Sequence, residues 1–64
     1  MNIMLVDRKT NDVRFISKIK GITNNFDLAL FTTNIIEINK LIKRYIKKYK
    51  IYLINEYGEV VQEY

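Results

Sequence analysis

Apolar and polar residues alternate in short runs as far as Thr32, recur every three to four residues from Asn34, and alternate again after Lys50. A period of two marks strands and a period near 3.6 marks a helix. Met1–Asp7 therefore reads as a strand. Arg8–Asp12 reads as a turn, with Asn11 as its left-handed residue. Val13–Lys20 reads as a second strand, with Val13, Phe15 and Ile19 on one side. Gly21 and the Thr23–Asn25 cluster break the chain. Phe26–Thr32 reads as a third strand, with Phe26, Leu28 and Leu30 on one face.

The helix is predicted from Asn34 to about Tyr49. Asn34 suits the N-cap, with Thr33 as the alternative, and Glu37 completes a capping-box pattern. Ile35, Ile38, Leu41, Ile42, Tyr45, Ile46 and Tyr49 fall within an arc of roughly 140°. Lys40, Lys43, Arg44, Lys47 and Lys48 occupy the opposite arc, with Ile36 an apolar exception among them. The last segment reads as a hairpin, Ile51–Asn55 and Glu59–Tyr64 around Glu56-Tyr57-Gly58, with Gly58 at a positive φ. In that register Leu53 opposes Val61 and Ile54 opposes Val60. Its faces are then Ile51, Leu53, Val61 and Tyr52, Ile54, Val60, Tyr64, both apolar.

The predicted fold is α+β: one small domain in β-β-β-α-β-β order, with a mostly antiparallel sheet and a single helix across one face. The hairpin–helix–hairpin order resembles a β-grasp domain in element order alone, and no motif carries a function across. One helix covers only one sheet face. The second apolar stripe therefore calls for an edge, a dimer or a partner. Tyr52, Ile54, Tyr57, Val60 and Tyr64 are the candidate partner or dimer interface, since aromatic residues with few lysines suit a contact surface.

Composition narrows the functions. The 64 residues fit one domain, which at this size buries only about 60% of its unfolded surface. No cysteine or histidine is present, so disulfides, thiolate metal sites and the commonest general base are absent. Ser17 is the only serine, and the two glycines are too far apart for a phosphate-cradling loop. Asp7 and Asp12 flank one turn, where capping is the expected role. The Asp7–Asp12 segment begins like a calcium loop. It has Lys9 at the third position and no glycine at the sixth, which repels a hard cation. A non-enzymatic protein without metal or cofactor is expected.

Ile, Asn, Lys and Tyr supply 31 residues, against three for Ala, Gly and Pro together. All four enriched types have AT-rich codons. This associates the chain with a phage, plasmid or low-GC bacterial source. No apolar run exceeds four residues, no signal-peptide core opens the chain and no lipidation box closes it. A soluble, cytoplasmic protein is expected.

The net charge of +4 is unevenly spread. Residues 40–50 hold six cations and no acid, and residues 51–64 hold three acids and no base. The bland reading of the basic helix face is a solvated surface. Docking on an acidic protein surface is the first functional reading, with the charges speeding association. Phosphate-backbone contact is the second, weakened by the acidic hairpin and by the lack of Asn or Gln to read base edges among the basic residues. A membrane-surface helix is disfavoured, because the sheet needs the apolar arc. The leading expectation is a small protein-binding module of a phage or mobile element. It would homodimerise and inhibit or modulate a host defence or replication protein. Non-specific nucleic-acid binding through the basic face is the alternative.

Overall fold

Strand β1 (Asn2–Asp7) lies at the middle of a five-stranded sheet, between β2 (Val13–Ile16) and β4 (Tyr49–Ile54) in a computed structural model that describes all 64 residues. The short β3 (Ile22–Thr23) and β5 (Val60–Glu63) form the edges, giving the order β3-β2-β1-β4-β5. Every pairing is antiparallel, so the likeness to β-grasp domains ends at element order. A single helix, α1 (Ile35–Tyr45), packs on one face. This is the expected α+β architecture. No helix is long and apolar enough to cross a membrane.

The strand period decides what is buried. Ile3 and Leu5 of β1 and Ile51 of β4 are fully enclosed, with Ile16, Tyr49 and Leu53 beside them. Ile38 and Ile42 of α1 close this core, and Met1, Leu30, Leu41, Tyr45 and Ile46 pack at its margin. The Ile51–Leu53 side of the last hairpin therefore faces the helix. Asn34 caps α1, its side chain accepting from the amides of Ile36 at 3.0 Å and Glu37 at 3.2 Å. The capping box is only half made: the Asn34 amide donates to Thr32 Oγ1, a nearer neighbour than the Glu37 carboxylate.

Three segment expectations are corrected. The second strand stops at Ile16, because Ser17 starts a turn closed by its amide bonding the Gly21 carbonyl at 2.9 Å. The third strand is not Phe26–Thr32 but Ile22–Thr23. Asn25 accepts from the Asp27 amide and opens a 3-10 turn over Phe26–Leu28. Residues 29–31 then wedge between the parting ends of β1 and β2, where Ala29 bridges Ser17 and Phe31 bridges Asn2. The buried Asn2 side chain donates to the Leu30 carbonyl, so the wedge satisfies it. The helix ends at Tyr45, short of Tyr49. Tyr49 belongs to β4, paired with Asp7, and its ring meets Tyr45 edge-on at 6.2 Å. Ile35 of the apolar arc is mostly exposed, in the first turn of α1.

The last hairpin has the expected loop. The Asn55 amide donates to the Glu59 carbonyl at 2.9 Å, and Gly58 has φ +79°. Ile54 faces Val60 as expected, but Leu53 faces Gln62 and not Val61. An irregularity between Leu53 and Ile54 adds one residue to β5 there, as in a β-bulge. Val61 is left half-exposed instead of joining Leu53 in the core.

Candidate functional site

The sheet face away from α1 is open. Register places Met4 and Val6 of β1, Val13 and Phe15 of β2, and Tyr52 of β4 together on it. Met4, Val6, Phe15 and Tyr52 are half-buried, and Val13 is exposed. Phe26 packs its ring edge-on to Phe15 at 5.1 Å and remains 53% exposed, so it shields only one corner. Val60 extends the face toward the β5 edge at 54% exposure. Lys50 and Glu63 mark the rim, paired at 2.9 Å. That hydrogen bond and charge raise the Lys50 pKa above the usual lysine value.

The predicted interface residues do not form one patch of equal access. Tyr52 and Val60 lie on the open face. Ile54 is 7% exposed, and its partner Asn2 is buried too, so the accessible face stops before this pair. Tyr57 stands out on the loop at 79% exposure, away from the sheet ladder, and Tyr64 follows the end of β5. Sequence reading missed Met4, Val6, Val13 and Phe15 as contributors. Alternation showed that each strand has two faces, but register was needed to merge them into one surface.

A second surface is basic. Lys40, Lys43, Arg44, Lys47 and Lys48 are all exposed, as expected. Lys47 and Lys48 lie beyond α1, in the turn into β4. The Asp7–Tyr49 pairing brings that turn against the β1–β2 turn. There the Arg8 amide donates to the Lys48 carbonyl at 3.2 Å, and Arg8 Nη2 donates to the Ile46 carbonyl at 3.2 Å. Asp7, Arg8, Lys9, Lys47 and Lys48 line a cleft of about 420 Å³.

Asp7 holds the turn itself. Its Oδ1 accepts from the amides of Lys9 at 2.8 Å and Thr10 at 3.1 Å. Those two amides, with a smaller pull from Lys48, hold its carboxyl below the usual carboxylate range. Asn11 takes the left-handed conformation at φ +64°, as the turn pattern requires. Asp12 lies 4.0 Å from the Arg14 guanidinium, while Asp7 accepts from the turn amides. Arg8 and Lys9 were read only as turn residues. Nothing in local spacing links them to Lys47 and Lys48; the β1–β4 register does.

No family model, curated protein or solved structure in the comparisons matches this chain.

Proposed function

We propose that the chain is a small non-enzymatic binding module that docks on proteins through its open sheet face. One observation carries this reading: α1 covers one side of the sheet, and on the other Met4, Val6, Val13, Phe15 and Tyr52 share a face that only Phe26 shields, at the Phe15 corner. An apolar sheet face left to water is a cost that association removes. The Lys50–Glu63 pair sits at its rim, where polar groups of interfaces are found. A second copy is the first occupant, since an isologous contact lets each face cover the other. The AT-rich codon association supports reading the chain as an accessory factor of a phage or mobile element, with a host defence or replication protein as a further occupant of the same face.

Sedimentation equilibrium tests the contact. The wild type should give a dimer mass, and Tyr52→Asp with Val60→Asp should give a monomer with an unchanged circular dichroism spectrum. A wild type that stays monomeric at about 1 mM has no self-contact of useful strength, and that result rejects this use of the face.

A further inference from the structure

The basic cleft is independent of the sheet face and has a chemistry of its own. Four cations converge on it from two turns distant in sequence: Arg8 and Lys9 from one, Lys47 and Lys48 from the other. None of the four forms an ion pair; the two ion pairs of the molecule are Arg14–Asp12 and Lys50–Glu63. Asp7 lines the same cleft, yet its Oδ1 is engaged by the Lys9 and Thr10 amides. The α1 C-terminus contributes roughly half a negative charge nearby. One carboxylate and that half charge fall well short of four cations. A main-chain bond holds the two turns together, because the Arg8 amide donates to the Lys48 carbonyl. Arg8 uses one guanidinium donor on Ile46 and keeps others free.

We propose that this cleft binds an oligophosphate, a group of two or more linked phosphoryl units. No apolar residue lines it. Its volume of about 420 Å³ exceeds what a single phosphate fills and lies within the range of small-ligand pockets. Phosphoryl oxygens suit the available donors: an arginine fork and three ammonium groups, none of which accepts a hydrogen bond. Lys43 and Arg44, in the last turn of α1, precede Lys47 and Lys48 by four residues in the chain and add positive charge along the helix. Two sources share this chemistry, a free oligophosphate and the 5′-triphosphate end of a nucleic-acid strand.

The test follows backbone amide resonances during titration with sodium tripolyphosphate at constant ionic strength. Saturable shifts at Arg8, Lys9, Lys47 and Lys48 are expected. Lys9→Ala with Lys47→Ala should raise the dissociation constant about tenfold or more, while Lys18→Ala with Lys20→Ala should change it less than about twofold. Asp7→Asn keeps the turn's acceptor oxygen and removes the opposing charge, so it should tighten binding. A purely structural role for the cluster would move none of these constants. Shifts that never saturate, or equal losses from the two lysine pairs, would mean a diffuse counterion atmosphere and overturn the proposal.

A second arm uses an oligothymidylate with and without a 5′-triphosphate. Binding that needs the 5′-triphosphate and is displaced by tripolyphosphate identifies a strand end as the occupant. Tripolyphosphate binding with no such dependence identifies the free oligophosphate. Oligonucleotide binding that tripolyphosphate does not displace, with no shift at Arg8 or Lys9, places contact along α1 and rejects the cleft. The Tyr52 and Val60 variants leave all four cleft cations in place, so each proposal fails or stands alone.

Discussion

Asn34 joins a loop to a helix through one side-chain oxygen. That oxygen takes two amides that the first turn of α1 leaves without intrahelical partners. Asn34→Ala should lower stability by about 1 kcal/mol, and Asn34→Asp should preserve it, because a carboxylate accepts the same bonds at the positive helix end. Urea denaturation of the three proteins measures both effects. Conformations of this kind are legible in sequence because they are decided within a few residues. Asn11 and Gly58 at positive φ belong with Asn34. The Glu37 half of the capping box was not legible. Thr32 competes for the same amide, and sequence spacing does not rank the two acceptors.

At the scale of elements, legibility follows how many solutions the pattern admits. Ile38 and Ile42 sit only on a helical stripe, and α1 buries both. Tyr49 fits the same stripe, yet it also fits a strand of alternating Tyr49, Ile51 and Leu53. Pairing with β1 chooses the strand. Phe26, Leu28 and Leu30 alternate as a strand does, but the Asn25 cap and the gap between β1 and β2 select a turn followed by a wedge. The β5 strand is legible for its loop and not for its bulge. All of its residues are exposed, so its order depends on polar contacts. Asn55 Oδ1 takes the amides of Tyr57 and Glu59, both at 2.9 Å, and its Nδ2 donates to Glu59 Oε1 at 3.1 Å. Asn55→Ala should cost about 1–2 kcal/mol, felt first at this edge. Hydrogen exchange should then accelerate at Val60–Glu63 and leave β1 protected. Uniform acceleration across the sheet would show that β5 opens only with the whole fold.

For the whole molecule, a two-layer design makes the two sheet faces unequal, and that inequality underlies the function proposed for it. Part of each candidate site was legible in advance: Tyr52 and Val60 on the sheet, Lys47 and Lys48 on the cleft. The rest, Met4, Val6, Val13 and Phe15 in one case and Arg8 and Lys9 in the other, arrives through β1 register, which no local pattern encodes. A chain of this length has a stability of roughly 3–10 kcal/mol. Ile38 is 1% exposed and ties α1 to the core, so Ile38→Ala should cost about 2–5 kcal/mol, much or all of that total. Val13 is 43% exposed on the open face, and Val13→Ser should cost less than about 1 kcal/mol when measured on the monomer. Urea titration at a concentration low enough to exclude dimers separates the two. Repeated at high concentration, the Val13→Ser penalty should grow, because association adds stability only to a chain whose open face is still apolar. A Val13 penalty that is large in the monomer and independent of concentration would make this face part of the core and would remove it as a docking surface.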